Sequence, residues 1–282
     1  MTVRIHTGIE IDAMRRAGRL AGELICAVGE IIKPGISTLE IDALVDKVTT
    51  DRHGISAPYG YGGGGRRPPF PGHCCTSVNE VVCHGIPTER VLVDGDVVNV
   101  DVTPILPKKN GWHGDTSVTF YVGEPSASVK HVVEVARQSL EIGLAQIKPG
   151  GYTGDIGAAI QEFAEQQNCT VVRDYTGHGV GQVFHTSPTI YHHRATRGVK
   201  LRKGMIFTVE PMINLGTHEV DHLDDHWTVV TADGSLTAQF EHTIAVTKRG
   251  CEVLTRRPGL VKNCEDVPWA KLGPLASFPF SS

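Results

Sequence analysis

Two ten-residue stretches decide how this chain folds: Leu92-Val-Asp-Gly-Asp-Val-Val-Asn-Val-Asp101 and Leu201-Arg-Lys-Gly-Met-Ile-Phe-Thr-Val-Glu210. Each passes from a polar turn around glycine into a β-rich apolar run, and each ends on an acid. A carboxylate at the buried end of a strand costs several kcal/mol or takes up a proton unless something pairs with it. Two acids in the same register call for one common explanation.

Outward from these stretches the punctuation repeats as well. Ile32-Lys-Pro-Gly-Ile-Ser-Thr38 returns as Ile147-Lys-Pro-Gly-Gly-Tyr-Thr153. Ahead of the first turn, Thr7-x-x-Glu10 reads as a capping box, and Ile11, Met14, Leu20, Leu24, Ile25 and Val28 recur at helical spacing. This predicts a helix from about Gly8 to Ile32. Ser37-x-x-Glu40 opens a second, through Ile41, Leu44, Val45 and Val48 to near Gly54, and a strand-rich stretch follows from about Val78 to Val122. The order then starts again. Val129, Val132, Val133, Ala136 and Leu140 mark a helix ending at Ile147-Lys-Pro-Gly150, Thr153 opens another through Ile156, Ile160 and Phe163, and strands run from Val171 to Val246. Each half reads helix, helix, strands, and two such halves bury the sheet face they share. The expected organisation is one catalytic unit over 1–255, with pseudo-halves of about 8–123 and 124–250, and a tail over 256–282.

Composition narrows the function. With 282 residues, 40% of them hydrophobic, and a net charge of -4, the chain supports a sizeable core and gives no sign of direct nucleic-acid binding. No apolar run is long enough for a membrane span, and the N-terminus lacks the apolar core of a secretory signal. Seven cysteines without CxxC spacing fit a cytoplasmic protein better than a disulfide framework.

Each half carries a second acid downstream: Asp115 in His113-Gly-Asp-Thr-Ser-Val-Thr-Phe-Tyr-Val122, and Glu241 in Ala238-Gln-Phe-Glu-His-Thr-Ile-Ala-Val246. His178 lies in Thr176-Gly-His-Gly-Val-Gly181. Taken singly, such an acid is usually a solvated hairpin residue, and a lone histidine is usually structural. As a set, four carboxylates call for a shared countercharge that two divalent cations would supply. Oxygen ligands with one imidazole suit Mn, Fe, Co or Zn. A metal pair of this kind activates water and polarises a carbonyl oxygen.

The set Asp101, Asp115, His178, Glu210 and Glu241, with its flanks NVDV, HGDTS, TGHGVG, FTVEPM and FEHTIAV, resembles the type I methionine aminopeptidases from about Ile9 to Thr255. The resemblance implies the α+β pita-bread fold: two pseudo-twofold related αβ halves, a central curved antiparallel sheet, and helices outside. It implies that Asp101 ligates one metal bidentately, that Asp115 and Glu241 bridge, and that His178 and Glu210 complete the other shell. The implied activity is hydrolysis of the initiator methionine from nascent polypeptide N-termini during protein maturation, by a metal-bridging hydroxide with Glu210 as base. His84, in Val81-Val-Cys-His-Gly-Ile-Pro87, and His185 are implied to lie over the metals against the scissile amide. Neutral imidazoles there would stabilise the tetrahedral species or donate a proton (His84) and orient the substrate (His185). Tyr61, Phe70, Cys75, Phe184 and Trp227 fall at the pocket for the methionine side chain, where sulfur and aromatic rings suit a thioether. His192, His193, His218, His222 and His226 carry no motif and read as surface or loop residues, and His73 is unassigned.

Two stretches depart from the family pattern. Gly62 to Pro69 is about six residues longer and reads as a mobile basic loop at the pocket rim, where Arg66 and Arg67 would meet ribosomal RNA or acidic nascent chains in a ribosome association. Pro104 to Gly111 lengthens a hairpin without disturbing the acids on either side. Two other functions compete: an X-Pro peptidase of the same fold, whose members usually carry an extra N-terminal domain, and a non-catalytic binding protein on the same scaffold. The second is expected to lose ligands, whereas all five are present here.

Overall fold

The computed structural model describes residues 3–63 and 67–259. Two helical hairpins flank the strands. Helix α1 (Gly8–Ile31) and helix α2 (Thr38–Asp51) each start at a complete capping box, Thr7 with Glu10 and Ser37 with Glu40. Each box satisfies two N–H donors that the first helical turn leaves open, and such caps contribute about 1 kcal/mol. Helix α3 (Ala127–Ala145) and helix α4 (Thr153–Gln166) repeat the arrangement in the second half. The helices begin and end within a few residues of the positions that capping and periodicity predict.

Every strand pair is antiparallel. Strand Val97–Val102 lies between Cys75–Val78 and Thr116–Tyr121. Strand Ile206–Val209 lies in the same way between Gly177–Gly179 and His242–Val246. The two acid-ending stretches are therefore the central strands of equivalent three-stranded units. The register extends the likeness. Asn99 lies opposite Ser77, and the pairing of Phe207 with Gly179 carries Thr208 opposite His178. Ser77 thus holds, in the first half, the place that His178 holds in the second.

The two units are joined along their third strands. Glu241 N donates to Ser117 O at 3.1 Å, Thr116 Oγ1 to Glu241 O at 2.6 Å, Thr243 Oγ1 to Asp115 O at 2.8 Å, and Asn99 Nδ2 to Gln239 O at 2.8 Å. This seam explains why buried strands are rich in Thr, Ser and Asn: their side chains pair backbone groups that the partner strand does not reach. It also sets Asp115 beside Glu241. The largest apolar cluster runs through both halves, from Leu24 and Phe120 to Ile156, Phe207 and Ile244, with smaller clusters beside it. The Pro104 to Gly111 stretch closes a hairpin whose arms are Pro104–Leu106 and Trp112–His113. Arg66 and the tail from residue 260 onward lie outside the described residues.

Candidate active site

The five donors predicted from sequence converge. Asp101, Asp115 and Glu241 each offer a carboxylate oxygen within 4.8 Å of the others. Nε2 of His178 lies 3.5 Å from Asp115 Oδ2 and 3.6 Å from Glu210 Oε1. The Gly-His-Gly motif has a steric cause. A Cβ at Gly177 would lie 2.4 Å from Thr208 O, and one at Gly179 would lie 2.2 Å from Ser187 O. Only glycine lets the neighbouring strands close on both sides of His178.

Hydrogen bonds aim each side chain. Thr208 Oγ1 accepts from His178 N at 2.9 Å and donates to Glu210 Oε1 at 2.6 Å, so one hydroxyl positions both residues. Nδ1 of His178 lies 3.2 Å from Gly179 O, which turns Nε2 towards the acids. Thr103 Oγ1 donates to Asp115 Oδ1 at 2.7 Å. Asp101 Oδ1 is buried without a hydrogen-bond partner among the described residues.

The electrostatics are those of a site built for cations. Burial and the neighbouring Asp115 push Asp101 well above the usual carboxylate range. Burial, with Asp115, does the same to Glu210 and Glu241, and burial raises Asp115 itself. Asp115 and Glu210 are in ion-pair range of His178, and burial lowers that imidazole to about 4, which leaves it neutral at pH 7; the Arg257 charge offsets part of the rise at Glu241. Oxygen donors with one free imidazole nitrogen and an orphaned buried carboxylate oxygen suit a divalent metal.

The acids open into a cavity of 310 Å³ that takes in His84, His185, Tyr61, Phe70, Cys75, Phe184 and Trp227, every predicted substrate residue. Phe70, Cys75 and Trp227 form a small apolar cluster of their own, with the Phe70 ring edge-on to Trp227 at 5.3 Å. His84 has a left-handed backbone (φ 56°) and packs edge-on against Tyr175 and Trp227. Burial lowers it to about 4, helped by Arg67. His185 lies against Phe184 and His178, and its Nδ1 meets Tyr61 Oη at 2.9 Å. It too is lowered to about 4, by burial and then His178.

The structure corrects one sequence reading and adds to another. His192, read as a surface or loop residue, lies in a loop but is 1% exposed, and its Nε2 accepts from Glu210 N at 3.0 Å. Tyr175, three residues before His178, lines the cavity, and its Oη meets Nε2 of the exposed His222 at 2.8 Å. His73 stacks on Tyr59 and approaches Asp46, away from the cavity.

A pseudo-twofold α+β fold that gathers acids and an imidazole at its centre defines a class, the pita-bread metallopeptidases. The sequence profile of metallopeptidase family M24 matches residues 12–248. "Methionine aminopeptidase A" of Synechocystis sp. is 52% identical over 256 residues, covering 90% of this chain and 98% of that protein. The crystal structure of methionine aminopeptidase from Rickettsia prowazekii superposes with a TM-score of 0.85 at 46% identity, covering 90% of this chain and 100% of that one. The prolidase from Pyrococcus furiosus shares the fold, with a TM-score of 0.70 at 19% identity over 89% of this chain and 65% of that one. This chain belongs to metallopeptidase family M24, and within it to the methionine aminopeptidases.

Proposed function

We propose that this chain removes N-terminal methionine from nascent polypeptides at a pair of divalent cations held by Asp101, Asp115, His178, Glu210 and Glu241. One observation carries the reading: four carboxylates, three of them buried and Asp101 half-buried, meet an imidazole nitrogen in an aromatic-lined cavity. The charge favours two cations, since two divalent ions match about four carboxylate charges and one would leave about two to be met by protons or by Arg257. The donor set fits Mn, Fe, Co or Zn.

Divalent metal in this site supplies a Lewis acid for the scissile carbonyl and lowers the pKa of water. The protein's own residues do the rest. Phe70, Cys75 and Trp227 take the thioether out of water and orient the peptide. Glu210, with one oxygen held by Thr208, takes the proton of the attacking water and passes it to the departing amide nitrogen. Neutral His84 donates a hydrogen bond to the oxyanion as it develops, and His185, held by Tyr61, orients the scissile amide. The reading places the enzyme in the cytoplasm, on nascent chains close to the ribosome, with no direct nucleic-acid binding expected; among the described residues no helix is long and apolar enough to cross a membrane. Loss of ribosome co-sedimentation in an Arg66→Ser, Arg67→Ser double variant is expected, and unchanged sedimentation would remove the ribosome from the proposal.

The experiment that tests the function pairs calorimetric titration of divalent metal with hydrolysis of Met-Ala-Ser and of X-Pro dipeptides. Metal binding with methionine released from Met-Ala-Ser supports the proposal. Cleavage of X-Pro substrates alone would assign the X-Pro peptidase reaction instead. Failure to bind micromolar metal would make the chain a non-catalytic relative.

A further inference from the structure

We propose that Arg67 is a specificity-determining residue: a fixed cation at the cavity mouth that recognises a carboxylate on the part of the peptide lying beyond the first residue. The inference rests on the function proposed above. Arg67 belongs to the stretch between Tyr61 and Phe70, which the resemblance reads as longer than the family pattern. The ends of that stretch are closed by backbone bonds, Phe70 N to Tyr61 O at 2.9 Å and Gly60 N to Phe70 O at 2.8 Å. Its second arm is tied to the pocket, because Trp227 Nε1 donates to Pro68 O at 2.9 Å. The first arm crosses the same ring: a Cβ on Gly62 would lie 2.8 Å from Trp227 Cη2. The Arg67 guanidinium then lies 4.6 Å from the Trp227 ring centroid. Such stacking fixes the guanidinium plane while leaving its N–H edge free to donate.

Position gives this cation its meaning. Arg67 lines the 310 Å³ cavity and also an adjoining one of 240 Å³ formed with His222, Leu223 and His226. Burial lowers His84 and the Arg67 charge adds to it, while burial raises Tyr175 and the same charge offsets part of that, so Arg67 acts on the side of the cavity where the scissile amide is expected. Among the described residues, the contact found for its guanidinium is the Trp227 ring. The first residue of a substrate enters the apolar slot of Phe70, Cys75 and Trp227, so the chain that follows leaves across the rim. Asp174 also lines the main cavity but not the adjoining one, so Arg67 is the charged side chain that the two cavities share. A guanidinium fork matches a carboxylate bidentately. That carboxylate is either an acidic side chain or the C-terminus of a short peptide.

The test uses full-length, metal-loaded protein and three substrates: Met-Ala-Glu-amide, Met-Ala-Gln-amide and Met-Ala-Gln with a free C-terminus. The wild type is expected to prefer a carboxylate-bearing peptide over the neutral one by about tenfold in kcat/KM, mainly through KM, with the preference shrinking as salt is raised. Preference for Met-Ala-Glu-amide identifies the side chain as the source, and preference for the free acid identifies the C-terminus. Arg67→Met keeps an apolar stem on Trp227 without the charge and should bring the ratio to about one, whereas Arg67→Lys should retain part of it. Equal kcat/KM for all three peptides with wild type would overturn the inference and leave the proposed function standing. Arg67→Met lowering all three equally would reduce Arg67 to a loop support and overturn it as well. If no peptide releases methionine, the function falls first and the inference falls with it.

Discussion

The backbone N–H of Glu210 donates to Nε2 of His192 at 3.0 Å, tying the acid to a loop 18 residues upstream. Glu210 follows the last residue of strand Ile206–Val209 and precedes Pro211, so its N–H lies beyond that strand and a side chain supplies the acceptor. Burial lowers His192 to about 3, which keeps Nε2 free to accept. His192→Ala would leave this buried N–H unpaired, at a cost of about 1–3 kcal/mol. The expected outcome is a melting temperature lower by several degrees and a kcat that falls more than KM rises. His192→Gln, which restores an acceptor, should recover part of both. A fall in melting temperature with kcat unchanged would limit the contact to a structural role.

Glu210 has two expected functions, ligand and base, and Glu210→Gln separates them from folding. The amide can still accept from Thr208, so the far-ultraviolet spectrum of the variant should match wild type. Turnover of Met-Ala-Ser should fall by about a thousandfold or more, because an amide takes up no proton from water at neutral pH. Residual activity of several per cent in a metal-saturated sample would assign the base elsewhere.

Asp101 shows what the site costs when no cation is bound. Its folded-state pKa is raised above the ordinary value by burial and Asp115. Such an acid binds its proton more tightly in the folded chain. Its stabilising contribution is therefore complete below about pH 4 and is lost as pH rises through the raised folded value. At pH 7 in chelator, Asp101→Asn should melt higher than wild type. On adding divalent metal the order should reverse, because the variant lacks one ligand and gains less from binding. Parallel melting curves with and without metal would remove Asp101 from the metal site.

Much of this site is legible in sequence because its signals are local. The capping boxes at Thr7 and Ser37 need only four residues each, and the acids at 101 and 210 are legible because the two halves repeat the same strand. His192 is not legible in that way. It stands beside His193 in a stretch without periodicity, and its burial depends on an acceptor being needed at Glu210, just past the end of strand Ile206–Val209. Tyr175 gave a usable signal, its closeness to the Gly-His-Gly motif, yet its partner His222 is distant along the chain. The position of Arg67 depends on Trp227, a contact that no local pattern encodes.

Trp227 joins the apolar slot to the rim, and its replacement should disturb the two in separable ways. The ring is buried, meets Phe70 edge-on at 5.3 Å, and carries Pro68 O on its Nε1 at 2.9 Å. Trp227→Phe keeps an aromatic wall for the thioether but removes the N–H that holds the 62–69 stretch. Its KM for Met-Ala-Gln-amide should rise only a few-fold, while any preference for a carboxylate-bearing peptide is lost with the seat of Arg67. Trp227→Leu removes the wall as well, and the smaller side chain leaves space beside Phe70 and Cys75 that the thioether does not fill. For that variant KM should rise by about tenfold or more, with kcat falling less, because the lost contacts act on substrate and transition state alike. Steady-state kinetics on the same three peptides distinguish these outcomes. A fall in kcat at constant KM for Trp227→Leu would mean that the ring aligns the scissile bond and does not line the methionine slot.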